Sequence, residues 1–223
     1  MLTWCDIGVV IRAVREKRQN LIESLLDQME IQDIGREYEI SYHGDGRSVP
    51  ESYTDALAIL SGYDFRWILQ FEDDIVLAPD FAVHAIQILR EIDIMTDVGL
   101  VSFYSGRRIR PRESVPTHPT IEFAAGSRFL MAQAFAIRNC DVAEHNDFVL
   151  RWTSERCRPY GTDVATAAWL ASRRYRIARP WPSLVQHRDA PSLCRQKNTG
   201  RPHVPGPLRR SPSYTAAYGD IQQ

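Results

Sequence analysis

The sequence predicts an α/β fold in which a mostly parallel sheet is flanked by helices. Two observations lead to this prediction. Short apolar runs alternate with helical periodicities along the first hundred residues. Hydrophobic residues make up 44% of the chain, which is sufficient for a core. A length of 223 residues fits a single domain.

The first half of the chain alternates between strands and helices. β-branched and aromatic runs indicate the strands, and apolar residues three to four positions apart indicate the helices. Ser48, followed by Pro50, is typical of a helix N-cap and first turn. The predicted strands are residues 7–11, 38–42, 66–71 and 98–103. The predicted helices are residues 16–29, 51–61 and 80–92.

The second half is less regular. Residues 107–119 are predicted to form a basic loop. The predicted strands are residues 129–137, 175–177 and 183–186, and the predicted helices are residues 140–152 and 162–172. From residue 190 the chain is rich in Pro and Arg and has no apolar period, which predicts an irregular basic C-terminal tail.

Opposite charges are segregated between the two halves. The whole chain has 27 Lys+Arg and 28 Asp+Glu, a net charge of −1. Residues 1–106 hold 8 basic and 19 acidic residues, a net of −11, and residues 107–223 hold 19 and 9, a net of +10. The near-zero total therefore does not exclude a polyanionic partner. An arginine-rich genome is an alternative explanation for the scarcity of lysine, but it does not explain the segregation.

The cysteine spacing and the lengths of the apolar runs predict the cellular compartment of the protein. The sequence has no C-x-x-C pair, which disfavours a thiolate zinc site and is typical of free thiols in a reducing compartment. Neither a signal peptide nor an apolar run of the roughly 20 residues needed for a membrane helix is found. The sequence therefore predicts a soluble cytoplasmic protein with no membrane partner.

Three consecutive acids follow the predicted strand at residues 66–71. Glu72, Asp73 and Asp74 stand at its carboxyl end, where ligands of open α/β sheets bind. Adjacent carboxylates repel one another, so Mn²⁺ or Mg²⁺ is a natural neutraliser that can also bridge nucleotide phosphates. A solvated acidic turn is the alternative, but the apolar residues 75–77 after the trio favour a metal site.

Residues 67–81, which read WILQFEDDIVLAPDF, resemble the metal-binding segment of GT-A fold glycosyltransferases. The likeness is to the E-D-D version in N-acetylglucosaminyltransferase-like enzymes. Other features follow the order of that family over about residues 7–189. They are Arg12 on the first strand, Asp45 after the second strand, Gly161-Thr162-Asp163 at a helix start, and a late PSLVQH segment that ends at His187.

The resemblance implies roles for these residues. Asp74 would ligate the metal directly, and His187 would touch the metal or the diphosphate. Asp163 would be the general base that deprotonates the acceptor hydroxyl in an inverting reaction. An ordinary helix-start carboxylate is the alternative for Asp163, and a structural histidine is the alternative for His187. The donor, expected to be a UDP-sugar, would be held by Arg12, Asp45, Glu72 and Asp73. The alternative for Glu72 and Asp73 is that they hold a metal-bound water.

The resemblance also divides the chain by function. Residues 1–189 would form a Rossmann-like GT-A catalytic domain, with residues 1–106 binding the nucleotide-sugar and residues 107–189 binding the acceptor. Residues 190–223 would form the basic extension.

The acceptor prediction depends on the basic half. Arginine clusters at residues 107–112, 173–176 and 195–210 are interleaved with aromatics, which suits a phosphate backbone with stacked bases. The aromatics are Trp152, Trp169, Tyr175 and Trp181. We therefore expect a DNA partner, with a 5-hydroxymethylpyrimidine as the acceptor, as in viral DNA glycosyltransferases. The alternatives are a glycan, lipid-linked sugar or protein acceptor, nucleotidyl transfer, and a non-catalytic nucleic-acid-binding module.

Overall fold

Nine strands and six helices make up the described part of the computed structural model. That part comprises residues 1–14, 18–35, 38–43, 47–107, 109–110, 112–116, 118–129, 133–156, 161–188 and 211–218. The strands are β1 (Ile7–Val14), β2 (Tyr38–His43), β3 (Trp67–Glu72), β4 (Ile75–Leu77), β5 (Val98–Ser102), β6 (Thr120–Ala125), β7 (Ala134–Arg138), β8 (Arg176–Trp181) and β9 (Val185–His187). The helices are α1 (Gln19–Ile31), α2 (Val49–Ser61), α3 (Phe81–Asp93), α4 (Asn139–Glu155), α5 (Thr162–Ser172) and α6 (Pro212–Tyr218).

Seven of these strands form one sheet in the order β2-β1-β3-β7-β5-β8-β6. β1 is parallel to β2 and β3, and β5 is parallel to β8. β7 is antiparallel to β3 and β5, and β6 is antiparallel to β8. Five of the seven strands therefore run in one direction, and β6 and β7 run in the other. The predicted α/β class with a mostly parallel sheet is confirmed.

Helices cover both faces of this sheet because the side chains of each strand alternate between two cores. On β1, Val9 and Ile11 belong to the core that also contains α1 and α3. Val10 belongs to the core that contains residues of α2, α4 and α5. Arg12 follows Val10 by two positions and therefore points to the second face. No helix of the described residues is long and apolar enough to cross a membrane.

Besides the short strand β4, two elements have no counterpart in the sequence prediction. β6 is an edge strand, and all its residues are half-buried or exposed, which gives little apolar signal. α6 lies within the segment predicted to be an irregular tail. Hydrogen bonds dock this helix: the Ser211 hydroxyl donates to the Ser105 carbonyl (2.6 Å), and the Tyr214 hydroxyl donates to the Leu77 carbonyl (3.1 Å). Such contacts leave no periodic pattern in the sequence.

Gly126 is required for packing at the end of β6. A Cβ added there would lie 2.5 Å from Leu170 Cβ and 2.6 Å from the Tyr175 backbone oxygen, and neither atom is the end of a flexible chain. We expect Gly126→Ala to lower the free energy of unfolding by about 1–3 kcal/mol through overpacking. Gly62→Ala is the matched control, because nothing lies within 4 Å of its added Cβ. Denaturant unfolding of both variants checks this, and equal stabilities would contradict the packing role.

Candidate active site

The acid trio lies at the carboxyl end of β3, as predicted. Glu72 is the last residue of that strand and pairs in register with Arg12 on the parallel strand β1. The Asp73 amide donates to the Arg12 carbonyl at 3.2 Å, so the turn after β3 is tied directly to β1. Arg12 and the trio are therefore brought together by sheet register.

Glu72 forms an ion pair with the Arg12 guanidinium. Burial raises the pKa of the Glu72 carboxyl to about 7, while Arg12 opposes that shift and the charges of Asp74 and Asp163 add to it. Burial disfavours the charged form of a carboxyl, and a neighbouring guanidinium favours it. The pair thus places the Glu72 carboxyl and the Arg12 guanidinium side by side at the carboxyl ends of β1 and β3.

Asp73 anchors the end of β1. Asp73 is 2% exposed, and its carboxylate accepts from the Val14 amide at 2.9 Å and from Arg18 Nη1 at 2.7 Å. The same Arg18 nitrogen donates to Asp74 Oδ2 at 2.8 Å. The sequence prediction missed Arg18, although its place just before α1 and after the first strand was a usable signal. Arg18 supplies positive charge between two adjacent carboxylates.

Asp74 and His187 are brought together by the second, two-stranded sheet. β4 begins directly after Asp74 and pairs antiparallel with β9, so that Ile75 lies opposite His187. His187 Nε2 lies 3.3 Å from Asp74 Oδ2, and the Arg188 amide donates to the Asp74 carbonyl at 2.7 Å. The two residues predicted to face the metal are therefore neighbours in space.

The Asp74–His187 pair fits a divalent cation. Asp74 is 4% exposed, and its Oδ1 is buried without a hydrogen-bond partner, which is unusual for a carboxylate oxygen. One carboxylate and one imidazole suit Mn²⁺, with further ligands from phosphate and water. Among the described residues there is no group of three or more His, Cys, Asp and Glu that could hold a metal. A cation here would therefore take only part of its coordination from the protein.

Asp163 reaches the same end of the sheet from α5, on the face toward which Arg12 points. It lies in the first turn of α5 and is partly buried. Its charge acts on three groups of the site, since it raises the pKa of Arg12, Glu72 and Tyr53. The predicted base is thus near the Arg12–Glu72 pair. Asp45, the last predicted site residue, lies outside the described residues.

A buried hydrogen-bonded chain lies beneath this edge. The Tyr53 hydroxyl is 3.1 Å from Thr166 Oγ1, which is 3.0 Å from His145 Nε2. His145 Nδ1 is 3.0 Å from Asn146 Oδ1, and Asn146 Nδ2 donates to the Thr54 carbonyl at 2.8 Å. Tyr53 also places its ring 5.4 Å from the Arg12 guanidinium carbon. Sequence reasoning did not find this chain, because its members come from three separate helices.

His145 makes stability sensitive to acid. Burial lowers the pKa of its imidazole from 6.5 to about 4, and the groups around it, Tyr53, Asn146, Thr166 and Trp169, are uncharged at neutral pH. The unfolded protein therefore binds a proton at His145 below about pH 6.5, whereas the folded protein does not bind this proton until about pH 4. The free energy of unfolding should fall over that window by an amount on the order of 3 kcal/mol.

Denaturant unfolding between pH 7 and pH 4, of the wild type and of His145→Gln, measures the contribution of His145 to the free energy of unfolding. We expect a shallower pH dependence in the variant. Identical slopes would show that His145 does not remain neutral in the folded protein.

The basic half differs from the predicted base-stacking surface. Trp169 is 0% exposed and Trp181 is 5% exposed, so the prediction that these two rings stack on nucleic-acid bases is wrong. They are core residues, because α5 and β8 turn them inward. Several arginines are also paired within the protein. Arg107 pairs with Glu113, Arg173 with Glu144, and Arg176 with Asp97.

No protein-family model matches the sequence, and no curated protein matches it. Among similar solved structures, a glycosyltransferase involved in glycosylation of the major capsid of PBCV-1 is 11% identical over 67% of each chain (TM-score 0.41).

Two further similar structures come from other organisms. A mutant of Drosophila β1,4-galactosyltransferase 7, in complex with manganese, UDP-Gal and xylobiose, is 10% identical over 88% of this chain and 76% of that chain (TM-score 0.45). Mannose-1-phosphate geranyltransferase from Thermus thermophilus is 12% identical over 78% and 73% (TM-score 0.43). At these identities and TM-scores, neither an activity nor a residue role is carried over from these structures.

Proposed function

We propose that the protein is a metal-dependent glycosyltransferase that moves a sugar from a nucleotide-sugar to an acceptor hydroxyl. One observation supports this most strongly. The Asp74–His187 pair, with an unpartnered carboxylate oxygen, lies at the same sheet edge as the Arg12–Glu72 pair and Asp163. This reaction requires a site for a divalent cation, polar groups that bind the donor and a separate carboxylate base. The Asp74–His187 pair, the Arg12–Glu72 pair and Asp163 would supply them in that order.

On the donor side, Asp74 and His187 would hold Mn²⁺ or Mg²⁺. When bound, such a cation neutralises the diphosphate that leaves with the nucleotide. Glu72 would bind hydroxyls of the ribose or the sugar, and Arg12 would orient Glu72 through their ion pair. Asp73, which we expected to hold the donor directly, is 2% exposed and both of its oxygens accept bonds within the protein. We therefore propose that Asp73 supports the donor site by holding β1 and Arg18. A UDP-sugar is the donor that the resemblance of residues 67–81 favours.

On the acceptor side, Asp163 would take the proton of the acceptor hydroxyl. The freed oxygen attacks the anomeric carbon, and the bond between that carbon and the diphosphate oxygen breaks on the opposite face. The bonding electrons leave with the diphosphate, and the configuration of the sugar inverts. A carboxylate base and a separate cation site are the groups that this single displacement requires.

A 5-hydroxymethylpyrimidine in DNA is the acceptor that we propose. The net charge of +10 over residues 107–223 supports it, because a basic surface attracts a phosphate backbone. The internal ion pairs of Arg107, Arg173 and Arg176 reduce the charge available for that contact. A glycan, a lipid-linked sugar or a protein acceptor fits the same donor chemistry.

Mass spectrometry tests the donor and the acceptor together. The protein is incubated with Mn²⁺, a panel of UDP-sugars, and hydroxymethylated or unmodified DNA. We expect one hexose-sized mass increase on the hydroxymethylated strand only. UDP release without DNA modification would contradict the DNA acceptor and leave the other hydroxyl acceptors. Pyrophosphate release from nucleoside triphosphates, with no sugar transfer, would instead indicate nucleotidyl transfer.

A further inference from the structure

The buried chain beneath the site has one allowed direction of hydrogen bonding. Asn146 Nδ2 donates to the Thr54 carbonyl, so the other amide atom, Oδ1, faces His145 Nδ1 as an acceptor. His145 Nδ1 must therefore carry the proton. A neutral imidazole has one N–H, so Nε2 is an acceptor, and the Thr166 hydroxyl donates to it.

The Tyr53 hydroxyl is then left to donate to Thr166 Oγ1, which has already used its own proton. Burial raises the pKa of the Tyr53 hydroxyl, and the charge of Asp163 adds to the shift, so this donor keeps its proton. Burial likewise keeps His145 neutral by lowering the pKa of its imidazole to about 4. All the donors run in one direction, from Tyr53 through Thr166 to His145 and Asn146.

This hydrogen-bonded chain connects to Arg12 and to α5, the helix that carries Asp163. The Tyr53 ring lies 5.4 Å from the guanidinium carbon of Arg12, within the range of a cation–π contact. Thr166 lies on α5 three residues after Asp163, which is about one helical turn. The hydroxyl–hydroxyl bond between Tyr53 and Thr166 is therefore a link between α2 and the start of α5.

We infer that Tyr53 and Thr166 are positioning residues that set the first turn of α5, and thereby Asp163, against the Arg12–Glu72 pair. This inference rests on the proposed function, because it needs Asp163 to act as the base. Loss of the link would leave the donor site intact and displace the base. Small displacements of a catalytic group reduce the rate of the chemical step more than substrate binding.

Thr166→Val and Tyr53→Phe remove one hydroxyl each and keep the size of the side chain. We expect each to lower kcat about tenfold, with the KM for the donor within about twofold. Thr153→Val is the matched control. Thr153 is also a buried helical threonine, but its hydroxyl donates only within α4, to the carbonyls of Val149 and Leu150. Its kcat should stay near the wild-type value.

The kinetic outcomes separate the inference from the proposed function. If the wild type turns over a sugar-nucleotide and Thr166→Val has the same kcat, the positioning role is overturned and the proposed function stands. An equal fall in kcat in Thr153→Val would also overturn it, since general loosening would then explain the effect. Absence of sugar-nucleotide turnover in the wild type would contradict the proposed function itself.

Nitrogen NMR of the histidines tests the hydrogen-bonded chain independently of enzyme activity, because it shows which ring nitrogen of His145 carries the proton. We expect His145, assigned by comparison with His145→Gln, to carry its proton on Nδ1 at pH 7, because Asn146 fixes that tautomer. In Thr166→Val the tautomer should stay, but the Nε2 resonance should shift because Nε2 loses the hydroxyl that donates to it. A wild-type His145 protonated on Nε2 would overturn the direction of the chain and with it the linkage to Tyr53. An Nε2 resonance unchanged in Thr166→Val would overturn the role of the Thr166 hydroxyl.

Discussion

Asp163→Asn should abolish sugar transfer while nucleotide binding remains. Asparagine has the shape of aspartate but cannot take a proton from the acceptor hydroxyl, and general base catalysis contributes about 10²–10⁴-fold to rates. Donor affinity should stay within about twofold, because the phosphates are expected at Asp74 and His187 and not at Asp163. Steady-state kinetics with calorimetric UDP binding measures both effects.

Asp141→Asn is the matched control for this variant. Asp141 also lies in the first turn of a helix, α4, and it is likewise partly buried. Both substitutions remove a charge that favours a helix N-terminus, so both should cost a similar small stability. Turnover of Asp163→Asn within about twofold of Asp141→Asn would remove the assignment of Asp163 as the base and leave it as an ordinary helix-start carboxylate.

Asp74→Ala should eliminate metal-dependent turnover. The substitution removes the carboxylate that faces His187 Nε2 at 3.3 Å, together with the unpartnered Oδ1. The fold should survive, because Arg18 keeps its bond to Asp73 and the β4–β9 pairing involves backbone groups. We expect weaker Mn²⁺ binding in the presence of UDP and a fall in turnover of at least about a hundredfold.

Asp97→Asn controls for the loss of an acidic charge. Asp97 is ion-paired with Arg176 at the start of β5 and β8, at the opposite edge of the sheet. Mn²⁺ calorimetry and turnover should therefore be unchanged in that variant. Unaltered Mn²⁺ affinity in Asp74→Ala would show that the cation is held elsewhere, and full turnover with a chelator present would show that no cation is needed.

The sheet was predictable where one strand face or one helix face is apolar. The strands that became β1, β2, β3 and β5 lie in regular alternation with helices, and Ser48 caps α2 as expected, with Glu51 completing a capping box. β7 was misplaced at its start, and its reversal between β3 and β5 leaves no local signal. Strand direction in a mixed sheet depends on long-range pairing, which the apolar pattern does not encode.

The candidate site was predictable where a motif is contiguous. The trio at Glu72–Asp74 and its position at a strand end could be predicted from one stretch of sequence, and His187 from another. Arg18 and Tyr53 were missed because their roles depend on partners far along the chain. Trp169 was misassigned to a binding surface, since aromatics among arginines look the same in sequence whether they are buried or exposed.

Release of UDP from a UDP-sugar panel, with Mn²⁺ or with a chelator, tests the central claim most directly. It requires no knowledge of the acceptor, because slow transfer to water reports the same activation of the donor. The account predicts release from at least one sugar with Mn²⁺, loss of that release with the chelator, and loss in Asp74→Ala. Folded protein that releases no nucleotide from any sugar, or that releases it equally with the chelator, would contradict the account.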